Sequence, residues 1–206
     1  MAGNIELFRD RTVRGLLLAQ WLPVWFVCGA ESLIVPYAGS LGRPASAAGP
    51  LLAAVPAGML AGGVLVGRFC PPWLRSRLAF PLAAAMGVPL LALWFRPPLL
   101  LAGLALLACG FGFAYELGIQ QAFLHSVPER RRGQAFGLNS TGAMGGQGLA
   151  PAVIGALGGA LGAGAAMTIA GAATILAALA LRGPLRAASA RPAAPAPSAT
   201  HATGPL

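Results

Sequence analysis

The chain contains six apolar stretches, each close to the length a bilayer demands, parted by short segments rich in Arg, Pro and Gly. In lipid every backbone N–H and C=O must find its partner inside the segment, so a stretch of about 20 apolar residues folds there as a helix. The stretches run over about 15–38, 47–66, 78–95, 99–124, 135–158 and 163–181. The punctuation between them is physical. Pro71-Pro72 and Pro97-Pro98 remove backbone donors and stop helices. Pro56, inside the second stretch, predicts a kink. The border between the fifth and sixth stretches is only residues 159–162, where glycine blurs the turn.

Composition agrees. Charged residues make up 9% of the chain and hydrophobic residues 57%, whereas a soluble domain carries roughly 25% charged residues. So little charge cannot cover a water-facing surface, and a lipid bilayer is the implied partner. The net charge of +9 comes from Arg alone, since Lys is absent. These arginines stand between apolar runs and form no basic face with interleaved aromatics, so nucleic acid is not an expected partner. They sort by side. Twelve fall in the lead-in, the 67–77 loop, the 130–132 loop and the tail, and only Arg43 and Arg96 fall in the opposite loops. This bias predicts a multi-pass protein of the cell membrane with both termini in the cytoplasm. Residues 1–14 read as a cytoplasmic lead-in, 15–182 as the transmembrane domain, and 183–206 as a disordered Ala/Pro-rich tail. The lead-in is too long, and the run after it too long and without a clean cleavage site, to read as a signal peptide.

Within the predicted spans the only acids are Glu31 and Glu116. An ionised side chain at mid-membrane costs roughly 2.5–3.5 kcal/mol on insertion scales, so such a group faces a cavity, pairs, or holds a proton. Glu31 lies about 24 Å along the first helix, and Glu116 about 12 Å from the inner end of the fourth, with Gln120 on the same face. No Arg lies deep in a span to pair with either, which favours a proton or a cation as partner. A protonated acid that only braces helices is the simpler alternative. Gln20, Asn139, Ser140, Thr141 and Gln147 fit interhelical hydrogen bonds or solute contact. Gly142/Gly146 and Gly155/Gly159, on either side of Pro151, are small-x-x-x-small pairs that allow close helix packing.

Enzyme chemistry finds no support. Ser140 lacks a close Gly-x-Ser-Gly setting, and the only later His is His201, in the tail. His125 reads as a solvated loop residue, and Cys28, Cys70 and Cys109 as small buried hydrophobes. No metal cluster, P-loop or dinucleotide fingerprint is present, so neither a metal nor another cofactor is expected.

Three features together resemble the C-terminal half of a major facilitator superfamily transporter, over about residues 8–182. Gly63-Val-Leu-Val-Gly67-Arg68, followed by Arg75 and Arg77, resembles the family's degenerate second cytoplasmic loop motif, with Gly67 where an Asp would stand. Pro128-Glu129-Arg130-Arg131-Arg132-Gly133-Gln134-Ala135-Phe136-Gly137 resembles the loop before the eleventh helix, and Gln147-Gly148-Leu-Ala-Pro151 with Gly155 resembles that helix. The resemblance implies an all-α half-bundle with a 3+3 inverted repeat. It also implies movement of a small-molecule solute by alternating access, with proton-coupled efflux a common form. The basic loop follows the second span in one half of the chain and the first span in the other, as units of opposite topology would have it. Full members have about twelve spans, two six-span halves around one site. The alternatives are therefore a clipped product missing its N-terminal half, a half that pairs as a homodimer or with another half, and a remnant without transport. A membrane scaffold or assembly partner is the competing function.

Overall fold

The computed structural model describes residues 8–190, with side chains as far as Arg186. Among the described residues all regular structure is helical. Six helical segments are long and apolar enough to cross a membrane: Arg11–Glu31, Ala45–Phe69, Pro72–Phe95, Leu99–Ser126, Glu129–Leu161 and Ala163–Ala180. They are called spans 1 to 6. The protein thus has the character of an all-α integral membrane protein.

Span 1 is helix α1 (Arg11–Glu31), followed by a short α2 (Ile34–Ser40). The Asp10 side chain accepts from the Thr12 and Val13 amides at 2.7 and 3.3 Å and so caps α1. The helix therefore starts inside the expected lead-in, and residues 1–7 lie outside the described residues. The expected single run to residue 38 is instead interrupted at Ser32 and Leu33. Pro36 explains this. It lacks the N–H that would reach the Ser32 carbonyl, and its ring crowds that carbonyl. Span 2 is α3 (Ala48–Phe69) behind a short 3₁₀ turn, and it passes through Pro56 as one helix. Span 3 is broken between α4 (Pro72–Ala85) and α5 (Gly87–Ala92), where Pro89 stands four residues after Ala85. Span 4 is broken between α6 (Leu99–Gly112) and α7 (Tyr115–Ser126). No proline accounts for that break. The amides of Phe113, Ala114, Glu116 and Leu117 each reach back three residues rather than four, the tighter winding of a 3₁₀ turn.

Span 5 is α8 (Arg132–Leu161), which runs through Pro151 without interruption. Span 6 is α9 (Ala163–Ala180). The reversal between them is sharper than the expected four residues. It turns on Gly162, at φ 90°, a backbone conformation that L side chains rarely adopt. The expected start of the disordered tail is also corrected, because Arg182–Ala190 forms α10. Its Leu185 is buried, and Pro184 lies against Gly15 of α1. This strongly amphipathic segment folds back on α4 and α7 to cover apolar surface that a tail would leave open. Residues 191–206 lie outside the described residues.

Span 1 packs against spans 5 and 6, span 2 against span 4, and span 3 against spans 4 and 6. Spans 1 and 4 also touch, as do spans 5 and 6. The tightest approaches are made by glycine. A Cβ on Gly58 would run into the Leu107 carbonyl and come within 2.8 Å of the Phe111 nitrogen. Across the same interface a Cβ on Gly110 would collide with the Val55 carbonyl. A Cβ on Gly171 would sit 2.7 Å from the Gly87 carbonyl oxygen. Backbone-to-backbone contact of this kind is how helices gain van der Waals energy in lipid, where apolar side chains find no driving force to leave their surroundings.

Gly110→Val is expected to destabilise the protein by about 1–3 kcal/mol or to abolish folding, as overpacking does. Gly63→Val, at a glycine with open space around it, is expected to be nearly neutral. Thermal unfolding of both variants in one detergent checks the contrast.

Candidate functional site

The polar side chains that the sequence singled out divide into a satisfied group and an unsatisfied one. The satisfied group joins spans 1 and 5. The Trp21 indole N–H donates to both the backbone carbonyl and the Oδ1 of Asn139, at 3.0 and 2.9 Å. Asn139 Nδ2 donates to Gln20 Oε1 at 3.2 Å, and Gln20 Nε2 donates to the Leu16 carbonyl at 3.3 Å. The Tyr115 hydroxyl, on span 4, donates to the carbonyls of Ala19 and Gln20 at 3.1 and 3.3 Å. Asn139 and Gln20 thus tie helices together.

The glycines of span 5 behave differently from expectation. Gly142 and Gly146 do not bring two backbones together. They receive aromatic rings, Gly142 facing Trp21 and Gly146 facing Trp25. The two rings are stacked, 5.9 Å between centroids and 5° from parallel, as their spacing of four residues on α1 allows. Absence of a Cβ makes room here for a ring. The Trp25 N–H is buried without an acceptor among the described residues. One turn earlier Trp21 has the Asn139 amide, whereas the corresponding span 5 position is Ala143. A Cβ on Gly155 or Gly159 would meet nothing within 4 Å among the described residues, so the second small-residue pair admits no close helix approach there. The tryptophans were not singled out from the sequence. The usable signal was Trp21/Trp25 at the same four-residue spacing as Gly142/Gly146.

The unsatisfied group is the two carboxylates. Each flanks a helix break. Glu31 is the last residue of α1, before the interruption at Ser32 and Leu33, and Glu116 is the second residue of α7, just past the break in span 4. Tyr115, next to Glu116, meets α1 at the Ala19 and Gln20 carbonyls, and Glu31 lies roughly 17 Å farther along that helix, so the two acids sit at different levels of the bundle. Glu31 is half-buried, and Glu116 is exposed, as is Gln120 one turn on. Cys28 and Cys109 are free thiols. Among the described residues no group of three His, Cys, Asp or Glu side chains could hold a metal.

Gln147 is exposed on span 5 with Ser140, Thr141, Met144, Gly145 and Gly148. Span 5 is the least covered of the six. Only 11% of its most apolar 18 residues are buried, against 33% to 56% for the other spans.

The loop residues make one defined structure. Arg75 Nε donates to the Cys70 carbonyl at 2.8 Å, and its Nη2 donates to the Gly67 carbonyl. The guanidinium thereby satisfies carbonyls left open at the end of α3 and ties that end to the start of α4. Gly67 lies 3.7 Å, measured from a built Cβ, from Leu117, while Gly63 faces open space. Arg68 and Arg77 are exposed.

No protein-family model, no curated protein and no solved structure matches this chain. The geometry carries the functional argument by itself.

Asn139→Leu is expected to cost about 1 kcal/mol, because it removes the side-chain bonds to Trp21 and Gln20 while the backbone carbonyl at 139 still accepts from the indole. Trp21→Phe should lower the cost of the same Asn139 change without removing it, since the bond to Gln20 remains. A double-mutant cycle of unfolding free energies in detergent measures that coupling.

Proposed function

We propose that the chain is a six-helix half of a major facilitator superfamily-like secondary transporter, moving a small solute by alternating access with proton coupling at Glu116 and Glu31. The observation that carries this reading is the placement at breaks in spans 1 and 4 of two carboxylates that have no ion-pair partner among the described residues. Transporter sites are typically formed by discontinuous helices at the interface of repeats, and intramembrane acids there act in proton relays.

The neighbour pattern supports a 3+3 repeat. Exchanging spans 1, 2 and 3 with 4, 5 and 6 carries the span 1–span 5 contact onto span 4–span 2, and span 1–span 6 onto span 4–span 3. The span 3–span 6 and span 1–span 4 contacts map onto themselves. The span 5–span 6 contact has no counterpart of similar extent. Units of three spans are necessarily of opposite topology, as an inverted repeat requires. On this reading both termini face the cytoplasm, where the arginine-rich loops belong.

A lone six-helix half offers one wall of a cavity. Exposed Glu116, Gln120 and Gln147 are costly against lipid, which favours a second wall supplied by another copy of the chain or by a separate half. The transport reading thus requires association. The chain is assigned no catalytic chemistry and no cofactor.

In proteoliposomes with an imposed pH gradient, Glu116→Gln and Glu31→Gln are each expected to lower proton-coupled solute flux by about tenfold or more, a rise of about 1.4 kcal/mol or more in the barrier. Full coupled transport in both variants would remove the carboxylates from the mechanism. In a background without Cys28, Cys70 and Cys109, Gln147→Cys is expected to form a disulfide-linked dimer in the membrane, whereas Leu179→Cys, exposed on span 6, is not. Absence of any flux from the wild-type chain, alongside stable capture of another membrane protein, would replace transport with the scaffold reading.

A further inference from the structure

The turn between spans 2 and 3 is a rigid step that presents two guanidinium groups and two large aromatic rings outward. α3 ends at Phe69, Cys70 is extended, and α4 begins at Pro72 behind Pro71. Arg75 fixes the step from within through its bonds to the Cys70 and Gly67 carbonyls. Arg75 is thus committed to the fold, and the neighbouring groups are not. Phe69 is 70% exposed and Trp73 58% exposed. Arg77 lies one turn beyond Trp73, its guanidinium carbon 5.4 Å from the ring centroid. Arg68 occupies the last turn of α3 and is exposed.

No acid occurs in the 67–77 segment, and among the described residues no carboxylate pairs with Arg68 or Arg77. The other arginine-rich turn differs in this respect, since Arg132 pairs with Glu129 at 3.1 Å. The step sits where two membrane-crossing helices end, the level at which headgroups meet hydrocarbon. Aromatic rings with a polar edge settle at that level. A guanidinium presents a planar fork of donors suited to phosphate oxygens. An arginine held over an aromatic face keeps its outward donors free while its position is fixed.

We propose that this step binds the headgroup of an anionic phospholipid, with the phosphate on Arg68 and Arg77 and the glycerol and upper acyl carbons on Phe69 and Trp73. A free phosphate would leave the exposed apolar surface of Phe69 and Trp73 uncovered, which is why the lipid is the assigned source. The assignment depends only on the chain's crossing a membrane and is independent of transport.

The test uses the full-length chain in a neutral detergent, with native mass spectrometry counting bound lipid. The probes are phosphatidylglycerol and phosphatidylcholine with identical acyl chains. Wild-type protein is expected to favour phosphatidylglycerol on the order of tenfold, as two arginines near an anionic surface would give. The double variant Arg68→Gln/Arg77→Gln is expected to lose that preference, and Arg68→Lys/Arg77→Lys to keep most of it. Arg43→Gln/Arg96→Gln, in the opposite loops, is expected to leave it unchanged. The proposal is overturned by equal binding of both lipids to wild type, or by an unchanged preference in the Arg68/Arg77 glutamine variant. Equal loss in the opposite-loop variant would overturn it too. Displacement of phosphatidylglycerol by an equal concentration of soluble glycerol phosphate would assign the site to free phosphate instead.

Discussion

Helix association in lipid lacks the force that assembles soluble cores, because hydrocarbon surrounds an apolar helix as comfortably as another helix does. What remains is close contact, and in this protein close contact is made where side chains are missing. Gly58 and Gly110 let α3 and α6 touch backbone to backbone, and Gly87 and Gly171 do the same for α5 and α9. These contacts join span 2 to span 4 and span 3 to span 6. The third interface, span 1 on span 5, uses the same absence of Cβ differently. There Gly142 and Gly146 receive the Trp21 and Trp25 rings, and the Asn139 amide fastens Trp21 in place.

The helix breaks follow from local chemistry. Pro36 and Pro89 each leave a carbonyl four residues earlier without its donor, and spans 1 and 3 are interrupted there. Span 4 tightens at Phe113 and Ala114 without a proline. In a bilayer, backbone that leaves the α-helical pattern is tolerated only inside protein or beside a cavity. Two of the three interruptions carry a glutamate beside them.

Much of this architecture was legible from the residues. Apolar length and arginine punctuation located all six spans, because a bilayer imposes both a minimum length and a demand that backbone groups be satisfied locally. The polar candidates were legible too, since few polar groups occur within the spans. Their roles were less so. Asn139 and Gln20 turned out to bond each other and Trp21. Gly155 and Gly159, a pair of the same spacing as Gly142 and Gly146, admit no close helix approach among the described residues. Spacing places residues on one face of a helix but does not say which helix, if any, lies opposite. The fold-back of α10 was also missed. Its Ala/Pro-rich continuation outweighed the short amphipathic pattern around Leu185, which only gains meaning once α4 and α7 offer it a surface.

The sequence by itself determined that this chain is helical, how many times it can cross a membrane and where each crossing turns, because these depend on interactions within a few residues and on the thickness of the surrounding lipid. Tertiary structure alone decided which spans are neighbours, which glycines admit a backbone and which admit an indole ring. It alone left span 5 largely uncovered and set a carboxylate beside each of two helix breaks. Those outcomes depend on the shape of surfaces brought into contact across the bundle, and no periodicity along one helix encodes the helix it will meet.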